Sequence, residues 1–170
     1  MAPDSSTPAG PASPERLPFP RHIPFVEKLG LELWEFAEGR AELQLEVAAD
    51  HLNYWAVAHG GVVMTLLDVA MAHAARSPLS AGPAAGNEAD RPATPDAGPG
   101  VATIEMKTSF MRPARGRLRA LGTTLHKTAT MAFTEGRVFD GDGQLCAHAT
   151  GTFKCVRALV TPPRQDKDSP

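Results

Sequence analysis

The sequence predicts an α+β domain in which an antiparallel sheet of about six strands wraps around one long helix. Three observations predict it. Apolar and polar residues alternate with the two-residue period of strands in two blocks, about residues 22–76 and 101–158. Only one stretch, from Gly60 to about Arg76, is long and apolar enough for a helix that must be buried on most sides. Two strands precede that stretch and four follow it, an order that lets antiparallel strands curl around a single helix.

Taken in order, residues 1–21 are rich in Pro, Ser and Ala and read as a disordered tail. This tail lacks the apolar run of a secretory signal. A short helical turn is expected near Ile23 to Leu29. A hairpin follows, Leu31 to Ala37 and then Arg40 to Val47, where Ala41, Leu43, Leu45 and Val47 alternate with polar residues. A loop, AADHLNYWAVA, leads into the helix, which Ser77-Pro78 stops. Residues 77–100, dominated by Ala, Pro and Gly, read as a flexible insertion. In the next strand Ala102, Ile104, Met106 and Phe110 alternate with Thr103, Glu105, Lys107 and Ser109, which puts Thr103 on the polar face. Leu118 to His126 and Met131 to Asp140 are further strands. Gly141-Asp142-Gly143 is a tight turn, and Leu145, Ala147, Ala149, Gly151 and Phe153 line the inner face of the last strand. Residues 159–170 form a polar tail.

The chain has 170 residues, enough for one domain spanning 22–158, and a net charge of −2, which gives no reason to expect nucleic acid or an anionic membrane as partner. No apolar run approaches the roughly 20 residues of a membrane span. Cys146 and Cys155 lie on opposite faces of one strand and cannot bridge, so reduced thiols and a cytoplasmic home are expected. The six histidines show no metal-ligand spacing, and neither metal nor cofactor is expected.

Between Gly60 and Ala75 the only formally charged side chain is Asp68. A lone carboxylate on an apolar helix carries a large desolvation cost unless it is paired or has a task, and spacing alone does not separate these two cases. His59-Gly60-Gly61 opens the helix. Two glycines there allow close approach to backbone N–H groups, which the helix dipole makes suited to a developing oxyanion; simple close packing explains them equally. His59 alone reads as a cap or a catalytic group, Asn53 as a turn residue and Thr103 as a strand former. Gly61 and Asp68 share one helix face but stand about 10 Å apart along the axis. A two-fold dimer closes that gap by pairing Gly61 of one subunit with Asp68 of the other. One curved sheet covers only about one side of such a helix, which also predicts a partner subunit. Arg112, Arg115, Arg117, Arg119 and Lys127 form a basic cluster, by default a solvated strand surface, more sharply a phosphate site.

His51-Leu-Asn53 followed by His59-Gly-Gly-Val-Val-Met-Thr-Leu-Leu-Asp68 resembles the signature of the hotdog-fold acyl-CoA thioesterases. The match is nearest to the PaaI-like (phenylacetyl-CoA thioesterase type) group of the 4-hydroxybenzoyl-CoA thioesterase superfamily. VATIEMKTSFMRPARG and GDGQLCAHATGTF resemble that family's later strands, and the likeness covers nearly all of residues 22–156. It implies that Asp68 acts as general base or nucleophile at a thioester carbonyl and that the Gly61 N–H binds the carbonyl oxygen. His59 and Asn53 would orient substrate or water, and Thr103 would hold the attacking water from the neighbouring subunit. Gly60, Arg112, Arg117 and Lys127 would bind the acyl-CoA and its phosphates. The site would lie between subunits, with a homodimer as the minimal unit and a homotetramer expected. Ala56 stands where the family has Gly, and His126-Lys127-Thr128 replaces a Gly-Lys/Arg turn. The competing readings are a non-catalytic acyl-CoA sensor and a hotdog enoyl-CoA hydratase or dehydratase, whose His and acid are arranged otherwise.

Overall fold

The structure is a computed structural model that describes residues 15–77 and 100–156. The bulk of the 77–100 insertion, most of the N-terminal tail and the C-terminal tail lie outside the described residues. The elements are α1 (Pro24–Lys28), β1 (Glu32–Ala37), β2 (Arg40–Glu46), α2 (Gly60–Arg76), β3 (Gly100–Phe110), β4 (Arg117–Lys127), β5 (Met131–Phe139) and β6 (Leu145–Val156). One antiparallel six-stranded sheet, in the order β1-β2-β4-β5-β6-β3, curls around α2. This is the sheet-around-helix architecture that the order of elements predicts, and it is the hotdog fold that the resemblance implies.

The local chemistry accounts for each junction. Glu38 (φ 53°) and Gly39 (φ 74°) are both left-handed, the two-residue hairpin turn whose twist suits flanking strands. Asp140 accepts the N–H groups of Asp142 and Gln144 and so closes the β5–β6 turn. At the end of α2 the Ser77 hydroxyl donates to Ala74 O and accepts the Gly39 N–H, tying the helix to the first hairpin.

The core lies between α2 and the concave face. Leu43 and Leu45 of β2, Leu118 of β4, Val138 of β5 and Phe153 of β6 meet Leu66, Leu67 and Met71 of α2, all buried. Each such side chain stabilises the fold by about 1.5–3 kcal/mol. The helix lies close because a row of small residues crosses the sheet beneath it. Ala41 pairs with Gly122, Gly122 with Gly136, and Gly136 with Ala149. A Cβ at Gly122 would stand 2.3 Å from the Ala70 carbonyl oxygen, so only glycine fits there.

Two expectations change. Residues 15–21 do not all belong to a loose tail. The Leu17 N–H donates to Leu33 O, and the Phe19 ring packs edge-on to His73. Thr103 does not face outward. A β-bulge between Thr103 and Glu105 shifts the register, so Thr103 pairs with the inward residue Phe153 while Met106 pairs with Gly151. The extra residue, Ile104, breaks the alternation, and the strand turns Thr103 toward α2.

Candidate active site

Helix α2 buries Val63, Leu66, Leu67, Ala70, Met71 and Ala74 against the sheet. That leaves a strip of Gly61, Met64, Thr65, Asp68 and Ala72 facing away from the core at helical spacing. Asp68 is half-buried on this strip. The inward turn of Thr103 brings its hydroxyl within 2.8 Å of Asp68 Oδ1, to which it donates. Burial raises the Asp68 carboxyl above its usual range, and the Thr103 hydrogen bond opposes that rise in part. The two groups border a cleft of about 440 Å³ whose other walls include Ile23, Phe25, Met64, Val101 and Met106. Among the described residues, no Lys or Arg forms an ion pair with Asp68. A desolvated, hydrogen-bonded carboxylate takes a proton more readily than one in water, which suits it to act as a base.

The His59-Gly60-Gly61 turn is organised differently from a bare glycine start. His59 caps α2, and its Nδ1 accepts the Gly61 N–H at 2.9 Å. The expectation of a free Gly61 amide is therefore corrected: a substrate oxygen at that amide must displace the imidazole. Asn53 Oδ1 accepts the N–H groups of Trp55 and Val57, which commits this oxygen to shaping the loop. In that loop Ala56 sits at φ 53°, a left-handed conformation that glycine adopts without the cost a Cβ brings. Asn53 and Gly60 border a second cleft, about 200 Å³, with Phe110, Arg112 and Cys146. The two clefts share no residue: one carries the carboxylate, the other the helix start.

Comparison with known proteins decides the family. The thioesterase superfamily model matches residues 56–147, more than half of the chain. The chain belongs to the thioesterase superfamily. Over 139 residues it is 29% identical to the medium/long-chain acyl-CoA thioesterase YigI of Salmonella typhimurium, covering 79% of this chain and 87% of that one. A conserved protein of Pseudomonas aeruginosa superposes with a TM-score of 0.66 and 28% identity, over 81% of this chain and 97% of that one. A mutant of the phenylacetic acid degradation protein PaaI from Thermus thermophilus gives 0.60 and 28%, over 78% and 98%. This thioesterase is PaaI-like in type and is a thioester hydrolase.

The cationic side chains of the thioesterase are largely spent on its own structure. Arg117 donates to Glu32 at 2.6 Å and to Gln44 at 2.8 Å, and its guanidinium lies 5.7 Å from the centre of the Trp34 ring. Lys127 Nζ donates to Ala75 O at 2.7 Å, where it meets the negative end of the α2 dipole. These bonds tie both side chains to the fold; a phosphate there would compete with them. Arg119 pairs with Glu42, and Arg115 donates to Ala56 O. Arg112 remains beside the second cleft, its Nη1 held by Leu145 O at 2.9 Å.

Cys146 and Cys155 are free thiols. Burial, with the Asp140 carboxylate, raises the Cys146 thiol, so it stays protonated and is a poor nucleophile. His73 is a packed histidine. It is buried between the edges of Phe19 and Phe36 and donates from Nδ1 to Val69 O. Burial lowers its pKa to about 4, so it is neutral at pH 7. No group of three or more His, Cys, Asp or Glu able to hold a metal occurs among the described residues. No helix among them is long and apolar enough to cross a membrane. What the residue-by-residue reading missed is the Asp68–Thr103 hydrogen bond within one chain. It depends on the β3 bulge, which the alternation of the sequence does not reveal.

Proposed function

We propose that the protein hydrolyses acyl-CoA thioesters to the free acid and CoA, at a site completed by two subunits. The observation that carries this is the half-buried Asp68 with the Thr103 hydroxyl on its Oδ1. Asp68 takes a proton from water as that water attacks the thioester carbonyl, or attacks the carbonyl itself. Thr103 orients the carboxylate and the water. The oxyanion forms at the start of α2, where the Gly60 and Gly61 amides and the helix dipole stabilise it. There the substrate oxygen replaces His59 Nδ1 as acceptor for Gly61. Collapse expels the thiolate of CoA, a leaving group that needs little protonation compared with an alkoxide.

About 10 Å of helix separates Gly61 from Asp68, too far for one carbonyl to touch both. An antiparallel pair of α2 helices related by a two-fold axis removes that distance. The outward strip of α2 and the unpaired edge of β3 support such a dimer. A homotetramer of two such dimers and a cytoplasmic location are part of the same proposal. Arg112, beside the second cleft, is the cation we assign to the phosphates of CoA.

The test is thiol release from purified protein over aromatic, short-chain and long-chain CoA esters. Turnover of at least one class is expected. Asp68→Asn is expected to lower kcat by at least about 100-fold with the oligomer intact. Full turnover by this variant rejects the role of Asp68. Tight binding without turnover by the wild-type chain favours an acyl-CoA sensor.

A further inference from the structure

Two large aromatic side chains stand out from the loop before α2. Tyr54 is 94% exposed and Trp55 is 74% exposed, with their rings edge to face at 6.0 Å. The loop that carries them is rigidly built. Leu52 bridges to Ala58, the Asn53 N–H donates to Val57 O at 2.8 Å, and Arg115 donates to Ala56 O at 3.1 Å. Asn53 Oδ1 accepts the Trp55 N–H at 2.9 Å. A loop fastened at this many points, with its indole held in water, is built to present that indole to something.

Helix geometry says to what. This step rests on the two-subunit site proposed above. If Gly61 of one chain meets Asp68 of the other about a two-fold axis, the axis passes between Met64 and Thr65, and paired positions run in opposite directions. Whatever precedes Gly61 then lies beside whatever follows Asp68 in the second chain. His59 and Gly60 then fall opposite Ala70 and Val69, and the 53–57 loop that precedes them is carried toward the far end of the Asp68 cleft. That end is walled by Ile23, Phe25 and Ala72, and Phe25 is itself 61% exposed. A cleft mouth lined by Ile23, Phe25 and Ala72, with Arg76 also in its wall, and an exposed aromatic pair thus come together.

We infer that Trp55, with Tyr54 beside it, forms a wall of the acyl cleft that holds the partner's Asp68, so that acyl preference is set in trans. Longer acyl groups reach this wall and short ones do not. The loop is therefore a specificity determinant for a reaction whose base belongs to the other chain.

The first measurement compares kcat/KM for butyryl-CoA with that for the preferred ester of six or more acyl carbons, straight-chain or aromatic. Trp55→Ala is expected to lower the long-to-short ratio by about 10-fold, and Trp55→Phe to retain most of it. An unchanged or raised ratio in Trp55→Ala overturns the inference. The second uses hybrids, in which a Trp55→Ala chain is co-expressed with a large excess of an Asp68→Asn chain. Each working site then takes Asp68 from the first chain and Trp55 from the second. The expected result is the wild-type ratio. A hybrid with the Trp55→Ala ratio overturns the assignment in trans, while an inactive Asp68→Asn homomer leaves the catalytic reading standing. An active Asp68→Asn homomer sinks that reading, and this inference with it.

Discussion

At the scale of single residues, the site turns on how Asp68 and His73 meet water. They lie five positions apart on one helix, and each is held in its neutral form more strongly than in solution. For Asp68 the folded state binds a proton more tightly than the unfolded chain does. Its charge therefore costs stability as pH rises from the ordinary carboxylate value of 3.8 through the raised one. As the proposed base it would work only when deprotonated, so activity is expected to fall as pH drops through that raised value. Thr103→Val removes the one interaction that lowers it. The acid limb of the pH–kcat/KM profile is expected to move to higher pH in that variant, and an unmoved limb denies the hydroxyl its role. His73 has the opposite sign. Its folded pKa of about 4 lies below the unfolded 6.5, so its contribution is complete above pH 6.5 and is lost as pH falls toward 4. Urea unfolding at pH 7 and at pH 4 is expected to differ by on the order of 3 kcal/mol through this group. His73→Gln should flatten that difference.

At the scale of elements, α2 and β4 are matched surfaces. The helix contributes large side chains and the sheet answers with Gly122, Gly136 and Ala149 in adjacent register. Gly122→Ala places a methyl group against the Ala70 carbonyl, a backbone atom that cannot swing aside. Overpacking of this kind costs about 3 kcal/mol, read as a lowered thermal midpoint with the secondary structure unchanged. The β3 bulge works at the same scale. Without the shift at Ile104, Thr103 would share a face with Glu105 and Lys107 and could not reach α2. The hairpins and the helix boundaries were legible in the sequence because each rests on local chemistry. Glu38-Gly39 makes a turn, Ser77-Pro78 ends a helix, and Ala41, Leu43 and Leu45 keep a period of two. The bulge was not legible, since Ala102, Ile104 and Met106 look like an unbroken apolar series.

At the scale of the molecule, α2 is covered by its own sheet on one side only. The strip of Met64, Thr65 and Asp68 meets water in a single chain. Met64→Asp would set two carboxylates face to face across the proposed axis, where like charges repel. The expected outcome is a shift toward monomer in sedimentation and a loss of thioester turnover, with an unchanged circular dichroism spectrum because Met64 lies outside the core. A variant that stays oligomeric and active places the subunit contact elsewhere. The basic residues belong at this scale as well. Arg117 and Lys127 looked available because their partners, Glu32 and Ala75, are distant in sequence and only the closed sheet brings them near.

The sequence alone determined the order of strands and helix, the solitary acid on an apolar helix and the glycine pair at its start. Each of these is written in neighbours a few residues apart, through periodicity, turn chemistry and the cost of burying charge. Tertiary structure decided which groups meet. It brought Thr103 onto Asp68 through a shifted register, gave the Gly61 amide to His59, and gave Arg117 and Lys127 partners within the fold. Those outcomes depend on contacts between distant segments, where one extra residue in a strand reverses which face a side chain takes.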